Sequence, residues 1–187
     1  MDVVMGSAVD NRAAAQRRFD MLFEANHPDI YRYCVRRLGP VDAEDAAAEV
    51  FAVAWRRIGE MPPDPASRAW LFGVAYRVVG NKYRHRRRQR NLSQRLRLIR
   101  STEDPVERLG DDIDRLYLAL DLLGATDREL LRLAAWDGLT RAEISAVLHI
   151  NENAVDQRLH RARIRLRAHY DKLRIDRSHP SPEEASA

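Results

Sequence analysis

Residues 138–167 read GLTRAEISAVLHINENAVDQRLHRARIRLR, and the organisation of the chain is best worked out from this stretch. Thr140 is followed three residues later by Glu143, the spacing of a capping box that opens a helix. Ile144, Val147 and Leu148 predict a short helix over residues 140–148, His149 to Asn151 a tight turn, and a longer helix from about Asn151. Val155, Leu159, Ala162 and Leu166 share one side of that longer helix. At about 100° per residue the opposite side presents Asn153, Gln157, His160 and Arg161. A short helix, a turn and a longer helix make a helix-turn-helix, whose second helix enters the DNA major groove. Gln and Arg form bidentate hydrogen bonds to adenine and guanine edges. Arg158, Arg163, Arg165 and Arg167 lie on the flanks and suit phosphates, which orient such a helix without reading sequence. The competing reading is a helical hairpin with a solvated basic face. Agreement of turn, cap and outer face favours DNA binding.

Upstream of this stretch, Leu116, Ala119, Leu120 and Leu123 mark one helix, and Thr126 with Glu129 predicts a second capping box. Residues 113–173 therefore read as one helical domain, and residues 174–187, rich in Pro, Ser and Glu, as a disordered tail. Residues 19–90 read as another helical domain. Its first helix carries Ile30, Cys34 and Leu38 and stops at Gly39-Pro40. Its second begins near Asp42 and carries Ala47, Val50, Phe51, Ala54, Trp55 and Ile58 at the three-four spacing of a buried face. After a proline-rich loop, its third begins near Ser67 with Leu71, Val74, Ala75 and Val78 toward the core. Residues 1–18 are expected to form a flexible arm and residues 91–112 a linker that starts basic. Leu92, Leu96 and Ile99 can carry a helix into that linker, whereas Pro105 argues against one unbroken helix across it. Strand patterns are nearly absent, so the expected class is all-α: two small helical domains joined by a linker.

Composition narrows the function. Of 187 residues, 45% are hydrophobic, enough for a core, and 32% are charged, with a net charge of +4 in which Arg far outnumbers Lys. The single cysteine, Cys34, excludes an internal disulfide and a thiolate metal cluster; its apolar helix face points to a core thiol rather than a redox sensor. The expectation is a cytoplasmic protein without signal peptide, membrane insertion, metal or cofactor. A nuclease is a third class to weigh. Asp45 and Glu49 can share a metal, but His27, His85, His149, His160, His169 and His179 are scattered, and no third ligand or nucleophile-base pair accompanies the carboxylates.

Two separated segments carry a family resemblance. GLTRAEISAVL followed by AVDQRLHRARIRLR resembles region 4 of bacterial sigma factors, above all the extracytoplasmic-function group, and shares much with the DNA-binding domain of response regulators. DAEDAAAEVFAVAWRR (42–57) and AWLFGVAYRVVGNKYRHRRR (69–88) resemble sigma region 2. The resemblance implies a region 2 helical bundle, a region 4 helix-turn-helix, and no enzymatic activity. It implies core RNA polymerase as partner through its β′ coiled coil and β flap, promoter DNA as the other partner, and an anti-sigma factor as a possible third. Asp45 and Glu49, opposite Phe51 and Trp55, take the place of the residues that dock on the coiled coil; without the family, a solvated acidic helix start fits as well.

The resemblance assigns the upstream −35 element to Asn153, Gln157, Arg158, His160, Arg161 and Arg165. It assigns the −10 element, with a flipped base, to the loop Gly59 to Arg68 and to Arg77, Asn81, Lys82, Arg84, Arg86, Arg87 and Arg88. Phe72, Tyr76 and Tyr83 interleave with these cations, as stacking surfaces for unpaired bases do; for Phe72 and Tyr76 plain core packing is an equal alternative. Departures from the family pattern are Ala48, Arg77, Asn81, the pair Asn153-Ala154, and Asp156 where a basic residue is common. The runner-up function is a stand-alone activator of the response-regulator type, which needs a strand-helix receiver that the first domain does not pattern.

Overall fold

The computed structural model describes residues 3–96 and 111–178, with side chains described for residues 11–86, 88 and 111–174. Seven α-helices and no strand are found among them: α1 (Val3–Leu38), α2 (Pro40–Arg56), α3 (Ala66–Leu96), α4 (Asp111–Asp121), α5 (Ala125–Ala135), α6 (Arg141–Leu148) and α7 (Glu152–Ser178), with a single 3-10 turn at Ile58–Glu60. The chain divides into two compact units, one built on α1 to α3, with which residues 146–149 group, and the other on α4, α5, the first half of α6 and α7.

In the first unit, α1 stops where predicted. Gly39 has φ +81°, a conformation L side chains rarely adopt, and its amide bonds the Val35 carbonyl at 2.9 Å. Pro40 then opens α2 at the first helical position, where its missing N–H costs nothing. Ile30, Tyr33, Cys34 and Leu38 from α1 meet Ala43, Ala46, Ala47, Val50, Phe51 and Ala54 from α2, all buried. Leu71, Phe72, Val74, Ala75, Val78 and Val79 of α3 complete this core. Tyr33 and Phe72 make an edge-to-face pair at 5.6 Å, and Cys34 is a free, buried thiol. Each large side chain removed from water here contributes about 1.5–3 kcal/mol.

In the second unit Ala119, Leu120, Leu123, Leu130, Leu131, Leu133, Ile144, Val155, Leu159 and Ala162 are buried. Gly138, at φ +64°, lies in the link from α5 to α6, where Leu139 donates to the Leu133 carbonyl at 3.0 Å. The capping box of α6 forms in both directions. The Thr140 amide donates to Glu143 Oε2 at 2.8 Å, and the Glu143 amide to Thr140 Oγ1 at 3.3 Å. Asn151 Oδ1 caps α7 by accepting from the Ala154 amide at 2.7 Å.

Four sequence expectations need correction. Residues 3–18 are helical, part of α1, where a flexible arm was expected: Ala13, Ala14 and Ala15 are the strongest helix formers and no proline intervenes before Pro28. Helix α7 runs to Ser178, into the expected tail, because the first helix breaker after Leu173 is Pro180, whereas the run of α3 through Leu96 agrees with the helix that Leu92 and Leu96 were expected to carry into the linker. Thr126 does not cap α5. That helix starts at Ala125 behind Gly124, whose carbonyl takes the Arg128 amide at 3.0 Å, while the Arg128 guanidinium binds the carbonyls of Asp121 and Leu123 at 2.7 and 3.0 Å. Ile58, placed on the α2 stripe, sits in the 3-10 turn and is only half-buried. The rest of the expected linker, residues 97–110, and most of the expected tail, 179–187, lie outside the described residues.

Candidate nucleic-acid interface

The turn between α6 and α7 sets the outer face of α7. His149 has φ +54°, a left-handed conformation unusual for a side chain with a Cβ. Across the turn Ser145 Oγ donates to the Ile150 carbonyl at 2.6 Å. With Val155, Leu159 and Ala162 buried and Leu166 half-buried, Asn153, Gln157, Arg158, His160 and Arg161 are all exposed, in the phase that the apolar spacing predicts. Arg158, Arg161 and Arg163 make no ion pair among the described residues. Arg165 differs: it is paired with Asp127 of α5, an acid only 18% exposed, and so braces α7 against the unit. Arg167 pairs loosely with Asp171 at 3.7 Å.

Sequence reasoning missed Arg141. From the start of α6 its Nε donates to Glu152 Oε2 at 3.1 Å and its Nη1 to Asp156 Oδ2 at 2.8 Å. Asp156 chiefly, then Glu152, raises the Arg141 guanidinium above its already high ordinary pKa, so it is charged at any working pH. Nothing in a 15-residue separation signals this bridge; only the folded turn brings the three side chains together.

In the first unit the basic run of α3 splits into two stripes. Toward α1 and α2, Lys82 Nζ lies 3.2 Å from Glu49 Oε2, Arg86 pairs with Asp42 and donates to the Leu38 carbonyl at 3.4 Å, and the Tyr83 hydroxyl donates to the Arg37 carbonyl. Lys82, Tyr83 and Arg86 thus tie α3 to the acids of α2 and to the last carbonyls of α1. On the outer side Arg77, Asn81, Arg84 and Arg88, spaced four, three and four residues apart, are exposed, with Arg84 donating to Asn81. The side chain of Arg87 lies outside the described residues. Phe72 is fully buried, the packing alternative; Tyr76 is 39% and Tyr83 46% exposed, so Tyr76 is no core residue.

Asp45 and Glu49 are both exposed on α2, one turn apart, with Val50, Phe51 and Ala54 on the buried side. The loop before α3 closes a recess against α1, lined among others by Met21, Asn26, Met61, Pro63 and Ser67. Arg18, assigned by sequence to a flexible arm, holds it by donating to the Met61 carbonyl at 2.8 Å. At the start of that loop, next to Met61, the Arg57 guanidinium hydrogen-bonds the Glu60 carboxylate and holds its pKa below the usual range. Among the described residues no three His, Cys, Asp or Glu side chains cluster as a metal site would, and no helix is long and apolar enough to cross a membrane.

Comparison with known proteins matches both units. Residues 22–89 match the family model described as Sigma-70 region 2, and residues 113–166 that described as Sigma-70, region 4. The chain is 28% identical over 180 residues to the RNA polymerase sigma factor CnrH of Cupriavidus metallidurans, covering 83% of this chain and 88% of that protein. It is 29% identical over 161 residues to the ECF RNA polymerase sigma factor SigL of Mycobacterium tuberculosis, covering 83% and 90%. Among solved structures it resembles CnrH in complex with the cytosolic domain of CnrY, with TM-score 0.62 at 28% identity over 86% of this chain and 94% of that one. The fold is also that of the sigma factor RpoE in its complex with the anti-sigma factor NepR from Bartonella quintana, with TM-score 0.63 at 21% identity over 82% and 96%.

Proposed function

The chain belongs to the sigma-70 family of RNA polymerase sigma factors, in its extracytoplasmic-function group, and from that premise we propose how its residues divide the work of transcription initiation. The second unit reads the −35 element as duplex. Asn153, Gln157, His160 and Arg161 face base edges, while Arg158 holds phosphates. Arg165, tied to Asp127, mainly fixes the pose of the helix. The first unit captures the −10 element as it melts. Arg77, Asn81, Arg84 and Arg88 follow the strand, Arg87 joins them, and Tyr76 and Tyr83 offer ring faces for unpaired bases.

Asp45 and Glu49 dock on the β′ coiled coil of core polymerase, and the second unit docks on the β flap. Exposed carboxylates beside a packed helix suit a basic partner and add specificity and on-rate. The protein acts in the cytoplasm, carries no catalytic centre and needs no cofactor. Relatives solved with CnrY and with the anti-sigma factor NepR support an inhibitory partner for this chain as well. The response-regulator alternative gains nothing, since the first unit has helices and no strand among its described residues.

One observation carries the reading: a capped turn sets α7 so that its polar residues Gln157 and Arg161 face solvent while Val155, Leu159 and Ala162 are buried. The test is in vitro transcription with core polymerase across a genomic fragment library. The expected result is a small set of promoters sharing −35 and −10 elements, used by the wild type and about tenfold less with Arg161→Ala. Transcription equally dispersed with and without the chain rejects the reading.

A further inference from the structure

Asp156 lies in the second turn of the recognition helix, beside Gln157. The side chain is 52% exposed, directly after the buried Val155. The N-terminal residues of a recognition helix are the ones that contact base edges. An ionised carboxylate there can only accept hydrogen bonds, so it cannot serve phosphates and repels them. Glu152, one turn earlier, adds a second negative charge on the same side.

Arg141 resolves this conflict. One planar guanidinium bridges both carboxylates, through Nε at 3.1 Å and Nη1 at 2.8 Å. The bridge offsets charge, and it fixes the Asp156 rotamer by engaging Oδ2. The other oxygen, Oδ1, has no partner among the described residues and lies on a carboxylate already oriented. An oriented, partly neutralised carboxylate at this place is a base reader rather than a phosphate contact. Among bases, a carboxylate finds its donor on cytosine N4, whereas guanine offers the acceptors O6 and N7 to the same groove.

Resting on the assignment of the second unit to the −35 element, we propose that Asp156 is a specificity-determining residue that accepts a hydrogen bond from cytosine N4 in the major groove, with Arg141 as its positioning residue. The promoter class chosen by this chain therefore carries cytosine at the −35 position facing the second turn of α7. Asn in place of Asp supplies both a donor and an acceptor and suits adenine N6 and N7 instead.

The experiment is in vitro transcription by core polymerase with the full-length chain on promoters randomised across the −35 element, read by sequencing the transcripts. The wild type should prefer cytosine at one position by about five- to tenfold, in line with one good base contact. Asp156→Ala should remove the preference at that position alone, and Asp156→Asn should move it toward adenine. Arg141→Ala should weaken the same preference, whereas a merely structural role would lower all transcripts equally and leave the base profile unchanged. A structured wild-type profile that Asp156→Ala leaves intact, or one that favours guanine at the affected position, overturns the inference alone. A wild-type profile flat across the whole −35 element overturns the assignment of the second unit as well.

Discussion

Two basic helices, α3 and α7, look alike in sequence and do different things with their charge. On α3, Lys82 and Arg86 are drawn to Glu49 and Asp42 of α2, and the outer stripe alone is left for a strand. On α7, Arg158, Arg161 and Arg163 stand unpaired among the described residues, and the paired cation Arg165 sits near the far end of the helix-turn-helix. The difference suits the two targets. A duplex groove is a fixed surface and rewards cations held ready on a rigid helix. A melted strand is flexible, and stacking on aromatic rings shares the work with charge. Cation count is therefore a poor guide to an interface; which cations already have acids within reach decides more.

The largest expected effect separates packing from surface. Phe72→Ala should cost about 3–5 kcal/mol and unfold the first unit early, seen as a loss of its thermal transition, because Phe72 is fully buried against Tyr33. Survival of that unit at full stability would place the ring outside the core. Next comes Arg161→Ala on α7, exposed and unpaired. It should lower transcription from −35-dependent promoters by about tenfold, within the 1–3 kcal/mol of a good base contact, and leave the melting temperature unchanged.

On α2, Asp45→Ala combined with Glu49→Ala should weaken core polymerase binding by about fivefold and flatten its salt dependence, measured by fluorescence titration against core. An unchanged affinity would move the docking face elsewhere. The comparison within α3 is sharper still. Arg84→Ala should reduce the salt slope of single-strand binding by roughly 0.7, one phosphate's share, whereas Lys82→Ala should change it less because Glu49 already holds the ammonium. Equal slopes would show that the two stripes are not distinct.

The smallest effect is one of pH. The Glu60 pKa is lowered by Arg57, so the pair stabilises the fold above the ordinary carboxylate range, and that increment fades as pH falls through the lowered value. Both groups are exposed, so Glu60→Gln should change acid unfolding only slightly. A large shift of the acid midpoint would contradict that placement.

Most of the fold was legible because its signals are local. Apolar spacing fixed the buried faces of α2, α3 and α7, and the reciprocal bonds of Thr140 and Glu143 follow from a four-residue motif. Where two local signals competed, sequence reading erred. Thr126 and Glu129 have the spacing of a cap, yet the chain turns at Gly124 and starts α5 one residue sooner. The site was half legible. The exposure of Gln157 and Arg161 is a matter of helical phase, which a sequence carries. The pairing of Lys82 with Glu49, of Arg86 with Asp42, and of Arg141 with Asp156 depends on how helices meet, which no spacing within one helix encodes. Tyr76, which fits core and surface equally by period, was decided only by the packing of its neighbours.

The central claim is that two weak DNA sites on one chain become a promoter reader only when polymerase holds them together, since tethering raises effective concentration without any new contact. The direct measurement is the affinity of the full-length chain for a fluorescent promoter fragment, alone and with core polymerase at physiological salt. The free chain should bind feebly and with barely any sequence dependence, and with core it should bind tightly enough that competitor DNA lacking either element cannot displace it. Tight, sequence-specific binding by the free chain, unchanged by core, would contradict that claim.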